Sequence, residues 1–435
     1  MGGGIAGVAA AWQLHETHEV TLFEAQPRLG GHVRTAEIPG DGTQTSATAD
    51  LGVIIINTRG YPNLAALYQK LRIGLRPIAL SVQAYFGPDG DHWGTDCHDT
   101  RLFREVEADC HTFQDSLMHR FDVPMTDFSV TLGAYCDRLG LSQVFREKAL
   151  VPLLIVLQVT RGSLWETPVV FVRQMFRHGV LSFFAPPSGW VMIEGGSARE
   201  IDALSSTLGD RVRPQTRVRR VQRSQDSVTI HWDGGPPGGE RFDDVILTCS
   251  LDIARMLIAE DADEVERAAL DPKSFQYEDL QVFLHTDLDA VARGTPEPWL
   301  FQYNHTARGR SVTLNPTQRT LGAGAAPTPL VTYCFDADAT PAPDKVQERV
   351  TFSHLIATPA SCAAAVGLRA INGRRHTFYA GHSCALPPNW HEGAFVSGLI
   401  VAQALGAPYP FRGDAAAERV FALMSMVMGV DAQAP

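Results

Sequence analysis

Three stretches of this chain combine residue types and spacings that can do chemistry. The first is Gly2-Gly3-Gly4-Ile5-Ala6-Gly7, followed by Val8 to Leu14 with the character of a helix and Val20 to Glu24 with that of a strand. Glycines at this G-x-G-x-x-G spacing suit a dinucleotide. Gly2 permits the tight turn, Gly4 lets the backbone approach a pyrophosphate, and Gly7 lets the helix pack closely on the sheet. Ile5 and Ala6 open the helix, whose unpaired N–H groups and positive dipole end would face the phosphates. Glu24, with Ala25 after it, ends the next strand 22 residues beyond Gly2, where a carboxylate can accept both ribose hydroxyls. The second stretch is Arg28-Leu29-Gly30-Gly31-His32, where paired glycines again let backbone approach phosphate and Arg28 adds a permanent cation. The third runs from Phe378-Tyr379-Ala380-Gly381-His382 to His391-Glu392-Gly393-Ala394 and Ser397-Gly398. His382 is the side chain there that can exchange protons near neutral pH. The competing reading makes it a structural histidine that caps its loop.

These residues require particular elements behind them. A helix and strand after the glycines form the second half of a βαβ unit, but the fingerprint also needs a strand before its first glycine, and only Met1 precedes it. A parallel sheet lacking its central strand leaves ladder groups of its neighbours unpaired. Two readings follow: the natural start lies several residues upstream, or the cofactor site is weakened.

The order G-x-G-x-x-G, Glu, R-x-G-G resembles the flavin-containing amine oxidase and phytoene desaturase superfamily, where it binds FAD. The resemblance covers most of the chain. Asp50-Leu51-Gly52 with Val53 and Ile54, running on to Asn57, looks like the family's segment beside the flavin. Tyr61-Pro62-Asn63 opens a helix as in the bacterial subgroup of predicted flavin-dependent oxidoreductases. Ile193 to Ser197 resembles the return to the cofactor domain, and Thr216-Arg217-Val218 the strand whose valine backbone meets the adenine. The segment from Phe378 to Gly398 resembles the closing FAD signature, with a helix N-terminus aimed at the pyrophosphate and flavin ring. There His391 and Glu392 are expected to position helix and cofactor. Many amine oxidases of this superfamily place a lysine near flavin N5. The matching position here is Gln281, and none of the four lysines (Lys70, Lys148, Lys273, Lys345) fits it.

The implied fold is α/β: a discontinuous Rossmann-like FAD-binding domain in 1–70, 190–265 and 370–435, and a mixed sheet-plus-helices substrate domain in 71–189 and 266–369. The first substrate stretch reads mainly as helices (Leu102–Phe121, Val130–Leu139, Ser142–Leu157, Pro168–His178). The second reads as strands (Leu280–His285, Trp299–Tyr303, Ser311–Leu314, Val331–Phe335). Gly234–Gly239 reads as a hairpin or loop, and Gly322–Pro329 as a loop between strands.

Composition narrows the partners. A formal charge of −11 argues against a nucleic-acid surface. The apolar run Ala149–Val159 is interrupted by Pro152 and is too short for a transmembrane segment. Seven cysteines without a C-x-x-C pair suggest free thiols and a cytoplasmic location. Asp96-Cys97-His98-Asp99 and Cys110-His111 lack zinc spacing, so no metal is expected. The helical stretch Ala415–Val430 lacks the basic flanks of a membrane-surface anchor and is expected to pack on the protein itself. The resemblance implies non-covalent FAD and oxidation of a C–N or C–C bond in a partly apolar small molecule, by hydride transfer to flavin N5. Redox-neutral double-bond isomerisation, a degenerate flavin-fold binding protein and an NAD enzyme stay open.

Overall fold

Residues 1–38, 47–87, 90–158, 164–184, 187–291, 299–316 and 329–430 are described by a computed structural model. Behind the glycine turn stand two parallel strand pairs. β1 (Leu22–Phe23) pairs with β4 (Val212–Arg213), and β5 (Val245–Leu247) with β11 (Thr377–Tyr379). Met1 and Gly2 lie between them. Met1 N donates to Ile246 O (2.7 Å), Thr248 N donates to Met1 O (2.9 Å), and Gly2 N donates to Phe23 O (2.9 Å). Two residues therefore tie the halves together, and among the described residues no named strand fills the rest of the central position.

α1 (Ile5–Leu14) follows Gly4 at once and is almost wholly buried. It packs against α8 (His391–Ala404), which in turn meets α9 (Ala415–Met428) and α2 (Pro62–Leu71). The approach of α1 to α8 is backbone-close: a Cβ on Gly398 would lie 2.2 Å from Ala6 O. Gly398→Ala is therefore expected to cost about 1–3 kcal/mol by overpacking, read as a lower Tm. α9 packs Phe421, Met424 and Met428 inward, while Leu423 and Met426 stay exposed. The 228–232 and 240–242 strands form a hairpin across Gly234–Gly239, as the glycines and prolines there suggested.

The second body is a seven-stranded sheet. Its strands are β2 (Val82–Phe86), β3 (Asp91–Gly94), β6 (Tyr277–His285), β7 (Phe301–Thr306), β8 (Gly309–Leu314), β9 (Leu330–Cys334) and β10 (Val346–Leu355). They run in the order β10-β6-β9-β8-β7-β2-β3, with only the β7–β2 pair parallel. Thus the stretch 71–189 is not helical throughout: it contributes β2 and β3 to this sheet, as well as α3 (Arg101–His119), α4 (Val151–Gln158) and α5 (Val169–Arg177). The expected helix Ser142–Leu157 is split by a π-helical turn at Arg146–Leu150. Pro152 has no N–H to give Lys148 O, and the buried Trp93 indole donates to that carbonyl instead. α4 rests on β2 and β7. Most of the Gly322–Pro329 loop lies outside the described residues. Among them, no helix is long and apolar enough to cross a membrane, and the seven cysteines are unpaired.

Candidate active site

A single cleft runs from the glycine turn to an apolar cavity under the large sheet. Of the residues singled out in the sequence, Gly2, Gly4, Ile5, Ala6, Glu24, Gly30, Gly31, His32, Gly52, Val53, Ile54, Gly381, His382, His391 and Ala394 line it. Val8 N is the first amide to donate within α1, to Gly4 O, so the amides of Ile5, Ala6 and Gly7 have no intrahelical partner. A Cβ on Gly4 would meet no atom within 4 Å, so the bare backbone there faces open cleft. Gly30 N donates to Gly3 O (2.7 Å), which holds the second glycine pair against the first turn. Glu24 closes this end: its Oε2 accepts from Gly3 N (2.6 Å) and its Oε1 from Gln26 N (2.7 Å).

Seven singled-out residues stand behind the cleft rather than on it. Arg28 turns its guanidinium into its own loop, donating to Val33 O and Leu29 O, so it braces the glycine pair instead of facing a phosphate. Gly7 lies beneath the turn, where a Cβ would fall 2.0 Å from Gly2 O. Ala25 is exposed, and Val218 packs partly buried against the core around β5. Gly393 lets α8 approach Ala385. Ser397 Oγ accepts from Gly381 N (2.8 Å) and donates to Ala394 O (2.7 Å), fixing the loop that carries His382. Glu392 is buried and accepts from Asn63 N, Asn63 Nδ2 and Leu64 N, so it caps α2. Burial outweighs those three donors and pushes its carboxyl up to about 7. His391, its neighbour on the cleft, is held by Nε2 on Glu200 Oε1 (2.6 Å); Tyr68 OH donates to the other oxygen of that fully buried carboxylate.

Beyond the glycine turn the walls become apolar. Ile155, Val156 and Leu157 of α4, Met175 of α5, and Val180 stand across from Phe301, Val312, Tyr333 and Phe352 of the sheet. No lysine lines the cleft. Gln281 does not either: it pairs with Cys334 and Thr351, whereas Leu280 and Val282 share the cleft face with Phe352 and Tyr333. The position matched to the family's lysine thus points away from the cavity. Sequence reasoning missed Tyr61, Trp390, Asn389 and His354, all on the cleft. For His354 a signal existed: Val350, Phe352 and His354 alternate along β10 in the register of the cleft face. Asp96 to Asp99 and Cys110-His111 form no centre. Among the described residues no group of three or more His, Cys, Asp or Glu is placed to hold a metal, and His98 instead stacks on Phe103.

Burial lowers the proton affinity of the cleft histidines. His354 is brought down to about 4, with His382 adding like-charge repulsion, and His32 and His382 also fall below the usual imidazole range. The three imidazoles therefore bind fewer protons in the folded chain than in the unfolded one between pH 6.5 and about 4, and they outnumber Glu392, which binds more. Stability present above pH 6.5 should be lost as pH falls through that window, measurable as a declining urea midpoint. A midpoint flat from pH 7 to 4.5 (roughly the window these shifts define) would contradict it.

Comparison with known proteins agrees with this geometry. Residues 5–281 match the family model of flavin-containing amine oxidoreductases. The fold is shared with a chain assigned as a protoporphyrinogen oxidase from Exiguobacterium sp. 255-15 (18% identity, 93% of this chain and 97% of that one, TM-score 0.65). It is shared also with cyclohexylamine oxidase from Brevibacterium oxydans (15%, 93% and 97%, TM-score 0.64). A third is a CLA-producing fatty acid isomerase from P. acnes (16%, 91% and 96%, TM-score 0.62). With a match over more than half its length, the chain belongs to the flavin-containing amine oxidoreductase family.

Proposed function

We propose that this chain is an FAD-dependent oxidoreductase that holds FAD non-covalently and oxidises a C–N or C–C bond of a mostly apolar small molecule. The observation that carries this reading is the continuity of the cleft, from a bare glycine turn with a ribose-ready carboxylate to a cavity walled by aliphatic and aromatic side chains. The donors present suit the cofactor. Glu24 would take the ribose hydroxyls, the Ile5 and Ala6 amides the pyrophosphate, and the N-terminus of α8 would favour negative charge on the ring. Cys384 is buried and burial keeps its thiol protonated, which speaks against attachment to it.

When bound, FAD supplies a two-electron acceptor at N5. The apolar walls exclude water and orient the substrate bond. His382 Nδ1 lies 2.9 Å from Asn389 Oδ1, which leaves Nε2 as the acceptor able to remove a proton from the substrate. Acid precipitation should release all flavin to the supernatant; a coloured pellet would show a covalent bond. Anaerobic mixing with apolar amines and unsaturated compounds tests the reaction type. Bleaching of the oxidised-flavin band supports oxidation. The absence of lysine from the cleft favours a second reading, redox-neutral isomerisation, which turnover without bleaching or an electron acceptor would establish.

A further inference from the structure

Three imidazoles meet where the cofactor end of the cleft joins the apolar cavity: His32 after β1, His354 on β10 and His382 after β11. The His32 ring centre lies 5.0 Å from that of His354 and 5.5 Å from that of His382. Neighbouring groups fix two of the protonation patterns. Ser353 O can only accept, so His32 carries its hydrogen on Nε2, 3.1 Å away. The Asn389 amide is held at both ends by Leu355, donating from Nδ2 to its carbonyl and accepting its N–H on Oδ1. Its oxygen is thereby turned to His382, whose hydrogen must sit on Nδ1. Among the described residues His354 Nδ1 is buried without a hydrogen-bond partner.

The surroundings supply little to hold three positive charges. Tyr277 packs edge-on against His382 and hydrogen-bonds Ser383. Asp252, in the first turn of α7 (Leu251–Leu257), and His391 of α8 act on the cluster only at a distance. Glu278 stands across the ladder from His354. Phe352 stacks on His32. Among the described residues none of the three rings hydrogen-bonds a carboxylate. Cations 5.0 and 5.5 Å apart on the wall of a half-buried cleft repel, so the first proton bound opposes the second.

We infer that His32, His354 and His382 act as one base that takes up a single proton, and that His32, the ring in contact with both of the others, is a positioning residue that keeps His382 Nε2 unprotonated and ready. This rests on the reading of His382 as the base. Histidine nitrogen NMR of the FAD-loaded full chain tests it through pH titration. Wild type should show His382 as the Nδ1–H tautomer. His32→Gln should raise the proton affinity of His382 about 10-fold, a shift of roughly one pH unit. His382→Gln should raise that of His32 by the same factor, because coupling is reciprocal. His354→Gln probes the same coupling through the second contact, its ring on His32, if one variant fails to fold. Unchanged midpoints in the folded variants overturn the shared proton and leave the base reading intact. Midpoints that move as expected, with flavin reduction undiminished in His382→Gln, overturn the base reading and leave the shared proton standing.

Discussion

Glu24→Ala is expected to weaken FAD binding by at least about 10²-fold. The carboxylate would lose two charge-assisted bonds to ribose hydroxyls, each worth roughly 1.5–3 kcal/mol, and every 1.4 kcal/mol is a factor of ten. Its loss also removes the acceptor for Gly3 N and Gln26 N, so the turn that carries the pyrophosphate amides loosens with it. Fluorescence titration of the apoprotein with FAD measures the effect directly. Glu24→Gln, which keeps an acceptor but not the charge, should fall between. An unchanged Kd in the alanine variant would mean that the dinucleotide does not lie along this turn.

His382→Gln should slow flavin reduction by ~10²–10⁴-fold, the range for losing a general base, while FAD stays bound. The readout is anaerobic stopped-flow with a compound that bleaches the wild type, expressed per bound flavin. A structural role predicts the opposite pattern. Ser383 and Asn389 already anchor the loop through Tyr277 and Leu355, so a merely packing histidine would be missed as lost flavin or a lower Tm. Asn389→Ala separates the two further. It leaves the imidazole in place but frees its tautomer, so reduction should slow without loss of cofactor.

The glycine end of the cleft was legible as a place because close backbone approach demands glycine and a turn at this spacing sets where the next carboxylate stands. Gly2, Gly4 and Glu24 fall where their spacing puts them. Roles carried by side-chain direction were less legible. Arg28 had a cation's chemistry, but nothing in its spacing showed that the guanidinium would fold back onto Val33 O. Glu392 sits within the closing signature yet serves α2, since consecutive residues on a helix point about 100° apart. The lysine-matched Gln281 was one residue out of phase with the cleft face, an error that a period of two converts into the opposite side of a sheet. β2 was hidden in a region rich in helical periodicity, because its partner β7 lies more than 200 residues away and leaves no local trace; β3, paired with β2, was missed with it. Among the described residues, the strand carrying His354 likewise pairs only with a non-adjacent segment, β6.

The bond network around Glu392 has a consequence for how this protein comes into being. Asn63 and Glu392 are 329 residues apart in sequence, yet the carboxylate caps the helix that Asn63 opens. Gly381, Ser397 and Ala394 complete the cleft from the same late segment. A ribosome delivering the chain from its N-terminus exposes the glycine turn long before α8 exists to close against it. The closure entropy of so long a loop must be met before these contacts form. Flavin loading is then a late event in biogenesis, after the last hundred residues have emerged, on the order of seconds at usual elongation rates. Nascent chains arrested before Glu392 should remain colourless, and arrested chains released just beyond α9 should acquire flavin.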